Sequence, residues 1–468
     1  MKRVRWLFVG VVCCGVAVGS AGNLSAQEEA GDDVVELVIG LLNDSDKDIR
    51  ALGLEQVRTQ AKGEAATRKF AARLPTLPAD AQVGLLRALA ERGDRAARPA
   101  VLELLAASDD ADVRVAAIAA LGALGESDDA KLLVAKLGGD DAGEQTAARK
   151  SLTRLYGDGV AKTMCEAIAA KDADAALRVV LIEILAERRE KTALDDLVAA
   201  AIDQDEKVRK AAMTALGEFA GPEQVAGMVR GVLAARSSAE RAAAEKNVMF
   251  VCHRVKDADR QADALIAAID ALKPDEQAVM LSTLGRVGGP KALAGVEKAI
   301  AADDPKQRDL GIRALCNWPT ADIAPRLAEL ATTAELPEQR TMALRALIRV
   351  APLADKRSDA ERLALLAKTM EMGQRDEERT LVLERTRAVR TVEALRFLLK
   401  YIDRPELTEA ACESIVELAH HRALRDAHKE EFHAALDKVI AKSKVAVVVD
   451  RANRYKKGQT WVRPKRGS

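Results

Sequence analysis

Aromatic residues are scarce in this chain. Of its 468 residues, three are Trp, three Tyr and six Phe, so a core built around large rings is excluded and small aliphatic side chains must fill the interior instead. Net charge is missing too. Lys plus Arg and Asp plus Glu each number 72, which removes any whole-molecule field drawing the chain to nucleic acid or an anionic membrane. Histidine occurs only five times. Residues 27–468 contain no Gly-x-x-x-x-Gly-Lys phosphate loop, no Gly-x-Ser-x-Gly elbow and no Cys-x-x-Cys pair. What the chain does have is Ala, Leu and Val. They dominate an apolar fraction of 49%, and Ala and Leu lead the helix-propensity ranking because they lose little side-chain entropy in a helix.

The first residues stand apart. Lys2, Arg3 and Arg5 precede an apolar stretch from Trp6 to Val18, and small residues follow to Ala21 and Ala26 before Gln27-Glu28-Glu29. This is the layout of a secretory signal, and its core falls short of the roughly 20 residues of a membrane-spanning helix. The expected organisation is a signal at 1–26, a linker at 27–33, a helical solenoid at 34–440 and a basic tail at 441–468, in an exported, periplasmic or extracellular chain with no further membrane span. Cleavage is expected after Ala26, with Ala21 the second choice. Cys13 and Cys14 raise a lipoprotein signal as the rival, but Gly10-Val11-Val12 before them lacks its usual pattern. Cys165, Cys252, Cys316 and Cys412 fall in repeats 5, 7, 9 and 12 of the register below, never in adjacent units. Stacked helices stand about 10 Å apart, beyond disulfide reach, so free buried thiols are expected.

Asp112-Val113-Arg114 and Lys207-Val208-Arg209 each lead a segment ending in Ala-Leu-Gly, at Gly122 and Gly217. Taking the Arg as an anchor, and asking for apolar or small residues four and seven positions later, gives a frame that recurs along the chain. Its anchors are Arg50, Gln82, Arg114, Gln145, Arg178, Arg209, Arg241, Gln277, Arg308, Arg340, Arg379 and Thr408. The seventh position after each is aliphatic in every repeat but one, where it is Thr386. Three- and four-residue steps make each anchored segment a helix, preceded by another across a short polar turn. Such a pair cannot bury its apolar face alone, so neighbours must stack into one continuous core: an all-α, right-handed α-solenoid of about twelve helical pairs. Gly125, Gly217, Gly221 and Gly288-Gly289 read as the ends of second helices.

Those residues resemble the HEAT-repeat family, most closely its short bacterial branch, which includes the repeats of phycobilisome lyases. The resemblance covers roughly residues 34 to 420 and implies a non-catalytic binding scaffold. It also implies that the anchor arginines form a ladder with turn carboxylates of neighbouring units.

No residue pattern marks an enzyme or a cofactor site, and a bilin-lyase activity has no signature here. On one continuous helix Glu417, His421 and His428 would share a face, a conceivable metal site, with His420 and His433 beside them. The solvated reading of this capping segment is preferred. Asp44, Asp46, Asp48 and Glu55 fit four positions of a calcium loop, but Ile49 stands where Gly is needed, so a capping turn is the better reading.

Positions five and nine after the anchor should point away from the core. In repeats 7 to 10 they supply Lys246, Arg286, Arg313, Arg345 and Arg349, whereas repeats 5 and 6 supply Glu183, Glu187 and Glu218. The basic stripe is the candidate surface for a protein partner, against the plainer account of solvated helix faces. From Arg451 the tail carries seven Lys or Arg, no acid, and Tyr455 and Trp461. Val445 to Val449 reads as a short strand or extended arm, and Trp461 as a residue that could stack or seat in a partner, against the plainer and preferred account of an ordinary disordered end. The expected function is a protein-binding scaffold with no specific nucleic acid. The alternatives are an accessory subunit of an enzyme, lyase-like or substrate-presenting, and an envelope or polyanion binder acting through the tail.

Overall fold

The computed structural model describes residues 33–170 and 172–461. The signal segment with Cys13 and Cys14, nearly all of the linker, and the tail after Trp461 lie outside them. The described residues are helices and turns, with no strand among them. They form an α-solenoid in two compact units that divide between Asp196 and Leu197.

Each anchor from Arg50 to Arg379 is the fourth residue of its helix, as Arg114 is in Ala111–Leu124 and Arg209 in Glu206–Phe219. The polar turns explain this regularity. Asp110 accepts a hydrogen bond from the Val113 N–H at 3.0 Å, and Asp205 from those of Lys207 and Val208, so an Asp side chain fixes the first turn four residues before the anchor. The calcium-like turn works in the same way: Asp44 accepts from the Asp46 N–H and Asp46 from that of Asp48, both at 2.8 Å.

The seventh positions form the core. Val57, Leu121, Leu185, Val248 and Leu347 are all fully buried. Thr386 is buried too, and its hydroxyl donates to the Val382 carbonyl at 2.8 Å, which is how a polar residue fits an aliphatic position.

Some glycines differ from the sequence reading. Gly217 does not end its helix but lies within Glu206–Phe219, where a Cβ would collide with the Asn247 side chain. Gly285 is similar: a Cβ there would strike the Ala314 carbonyl of the next second helix. The Gly of the Ala-Leu-Gly motif therefore marks a close approach of helices.

The second correction concerns Val445 to Val449, which begins the helix Ala446–Lys456. Val448, Ala452 and Tyr455, four and three residues apart, turn one buried face onto the helices Thr408–His420 and Lys429–Lys442. Packing overrides the β preference of the valines. The residues from 446 to 456 thus add a helix to the stack where an extended arm was expected.

The anchor side chains join the repeats. Arg114 donates to the Asp109 carbonyl at the end of the preceding turn (2.9 Å) and reaches Glu144, thirty residues on, at 2.5 Å. Arg209 does the same with the Asp203 and Gln204 carbonyls and with Glu240, at 2.7 and 3.0 Å to its two oxygens. Arg50 with Asp80 and Arg308 with Glu335 extend the ladder. Most of its carboxylates belong to the first turn of the next second helix rather than to the turn before it.

Hydrogen bonds from Arg114, then Lys136, hold the Glu144 carboxyl below the ordinary glutamate value of 4.5, and Arg209 does so for Glu240. A depressed folded-state pKa gives stability that is complete above the unfolded value and lost as pH falls through the folded one. We expect the thermal midpoint to be level near neutrality and to fall below about pH 4.5. Measured by circular dichroism, the drop should be shallower in the double variant Arg209→Met/Glu240→Leu; an unchanged slope would remove this pair from the explanation.

Candidate partner-binding groove

In the second unit the helices Pro274–Val287, Pro305–Cys316, Pro337–Val350 and Asp376–Thr386 stack in chain order. Three begin with proline, whose missing N–H costs nothing at a helix start. Their anchors and seventh positions face inward, so the fifth and ninth positions share the opposite face.

Three of the expected residues meet there. Arg313, Arg345 and Arg349 line a cavity of about 420 Å³ whose apolar wall is Val279, Leu310, Met342 and Ala346. Arg313 pairs with Asp309 at 2.6 Å, on its own helix. Arg345 pairs at 2.8 Å with Glu378, a carboxylate only 3% exposed that also takes Arg375 at 2.6 Å. Arg349 donates to the Cys316 and Trp318 carbonyls, at 3.1 and 2.7 Å, closing the end of the preceding second helix. Burial first, then the neighbouring charges of Arg385 and Arg286, hold its guanidinium below the usual value. Arg286 is tied to the buried Glu245 at 2.8 Å.

The other two lie elsewhere. Lys246 sits over the Phe250 ring at 5.5 Å, and Trp461 lies beneath the Arg451 guanidinium at 4.7 Å. Arg451 itself bridges to Glu417 at 2.7 Å, and Arg454 and Lys456 pair with Asp450 and Asp437, so the described part of the tail is largely neutralised.

Sequence reasoning missed Arg375 and Arg385, which stand outside positions five and nine. It also missed a recurring role, since Arg92 and Arg188 close earlier second helices through the carbonyls of Val57 and Leu152, as Arg349 does. An Arg near the end of each such helix is the signal that would have found it.

In the first unit Arg149 binds both Glu183 and Glu187, so these acids of the expected stripe are paired. A second cavity, of about 640 Å³, is lined there by Cys165, Asp196 and Glu190 among others. Burial, then the Asp196 side chain, pushes the Cys165 thiol up to about 12, and burial does the same for Cys316. Both are neutral thiols, poor as nucleophiles. All four cysteines of the described residues are buried and free, as their repeat spacing predicts.

His421 interrupts the one continuous helix on which Glu417, His421 and His428 would have shared a face. Its backbone is extended between Thr408–His420 and Arg422–Ala427, while His420 bonds the Tyr455 hydroxyl at 3.0 Å. Among the described residues no group of three His, Cys, Asp or Glu is placed to hold a metal ion, and no helix is long and apolar enough to cross a membrane.

These features define a helical-repeat solenoid with an arginine-lined groove. The HEAT-repeat family model matches residues 67–153 and 163–248. Among solved structures the chain is similar in fold to Kap95p, the yeast importin-β, in its complex with RanGDP, at 11% identity and a TM-score of 0.44 over 91% of this chain. Kap121p bound to Pho4p is similar at 13% identity and 0.48 over 93%. The chain spans 66% of that Kap95p and 56% of that Kap121p. The CpcE–CpcF complex of phycocyanin lyase from Nostoc sp. PCC7120 is similar at 20% identity and 0.25, over 51% of this chain and 94% of its own. No curated protein matches the chain in sequence.

Proposed function

We propose that this chain is a non-catalytic scaffold that is exported from the cytoplasm and holds a protein partner against the second-helix face of its repeats. The observation that carries the reading is the convergence of Arg313, Arg345 and Arg349 around an apolar wall, on rigid helices rather than loops. A surface joining apolar area to oriented guanidinium groups has the composition of a recognition patch. Export is supported by the tripartite pattern of residues 1–26.

Arg313 is the residue to test. Its side chain is 53% exposed and pairs within its own helix, whereas reversing Arg345 would set a second carboxylate beside the buried Glu378. Residues 27–468, tagged and purified, should retain a defined protein from envelope extracts. Arg313→Glu should lose most of it with an unchanged circular dichroism spectrum and melting curve. Full retention by the folded variant would remove this face from the function. Amino-terminal sequencing of the exported product should begin at Gln27; an uncut, cytoplasmic chain would reject export.

A further inference from the structure

We propose that the groove takes an extended acidic peptide segment of the partner, with carboxylates three residues apart and an apolar side chain between them. This rests on the scaffold reading above and adds the chemistry of what is held.

The charges around the groove do not balance. Arg286, Arg313, Arg345, Arg349 and Arg385 are set against three carboxylates, those of Glu245, Asp309 and Glu378, while Arg375 beside them also has Glu377 at 4.0 Å. One of the three is shared: Glu378 takes both Arg345 and Arg375. Among the described residues no carboxylate pairs with Arg349, whose partners are carbonyls, and the exposed Arg385 side chain has neither a hydrogen bond nor an ion pair. Yet these two are close enough for Arg385 to disfavour the charge on Arg349. Like charges held together without a counter-charge are relieved by an incoming anion, and the planar guanidinium fork matches a carboxylate.

Spacing selects the form of the ligand. The arginines come from successive stacked helices, about 8–10 Å apart in such packing. An extended chain of polyproline-II form advances about 3.1 Å per residue and turns once in three, so every third side chain returns to the same face and meets the next helix. Between the charges lie Leu310, Met342 and Ala346, and a cavity of about 420 Å³ accommodates small aliphatic side chains. The flexible thioether of Met342 suits an irregular ligand surface. A nucleic acid strand fits less well. None of the residues lining the cavity is aromatic, which leaves bases nothing to stack on.

The test uses residues 27–468 and a fluorescein-labelled peptide of four Asp-Leu-Ser triplets, read by fluorescence anisotropy. Controls are the Asn-Leu-Ser peptide, a peptide of the same composition with its aspartates in one block, and inorganic polyphosphate. The triplet peptide should bind most tightly. Arg385→Gln and Arg313→Gln should each weaken it about three- to fivefold and together about tenfold or more. Added salt should weaken it as well. Equal binding of the Asp and Asn peptides, affinity unmoved by both substitutions, or tighter binding of the blocked peptide or polyphosphate would overturn the proposal. If the peptide fails while partner capture still depends on Arg313, the scaffold stands and the acidic segment is wrong. If capture is also independent of Arg313, the groove itself is excluded.

Discussion

Replacing Arg209 by alanine should cost the second unit about 3–5 kcal/mol, the usual loss when one partner of a buried ion pair is removed. Arg209 is 2% exposed and the Glu240 carboxylate 4%, so neither has water to fall back on. Without the guanidinium, the Glu240 carboxylate keeps only the Arg236 N–H, at 2.9 Å. The Asp203 and Gln204 carbonyls also lose their donor. The fold penalty is thus the desolvation of groups left behind rather than the worth of the pair.

Stacked repeats exchange energy mainly with their neighbours, so the loss is felt first in the helices that carry the pair. Amide hydrogen exchange is the measurement that reads it. Protection should fall first in Glu206–Phe219 and Ser238–Cys252, the helices that carry the pair. The double variant Arg209→Met/Glu240→Leu should recover most of the protection, because it leaves no orphaned charge. A loss below about 1 kcal/mol in the single variant would show that water reaches the pair and that the ladder is not structural.

Trp318→Ala should be comparably damaging, at about 3–5 kcal/mol for a large ring removed from a closed interior. Trp318 is fully buried just beyond the helix Pro305–Cys316. Its carbonyl takes Arg349 at 2.7 Å, so the cavity left by the ring also loosens the groove wall. The indole N–H has no hydrogen-bond partner among the described residues. Trp318→Phe therefore forfeits packing volume but no hydrogen bond, and should cost under about 1.5 kcal/mol. Urea unfolding of the three proteins separates the two effects. If Phe proves as harmful as Ala, the indole N–H is hydrogen-bonded after all; if Ala is harmless, the neighbourhood collapses onto the space and the groove does not depend on it.

Much of this architecture was legible in the chain itself. The frame from Arg50 to Thr408 is chemical as well as periodic, because an anchor must reach back to carbonyls five and six residues earlier while its seventh neighbour enters the core. Both demands act within one helix and its turn, and so survive as spacing. Gly217 and Val445 to Val449 were misread for the opposite reason. The glycine answers to Asn247 on another helix, and the valine run to the buried face shared by Val448 and Tyr455.

The site was only half legible. Helical periodicity places Arg286, Arg313, Arg345 and Arg349 on one side of their helices, but says nothing of what neutralises them. Arg313 finds Asp309 four residues back, whereas Arg286 finds Glu245 across 41 residues and Arg345 finds Glu378 across 33. By itself, then, the sequence determined the helical pairs, their register and the side of each helix that meets the core, since local turns and a fixed period are enough for that. Tertiary structure alone decided which charges are spent inside the fold and which, such as Arg385, are left exposed, because ion pairing depends on distances between helices that no fixed spacing along the chain records.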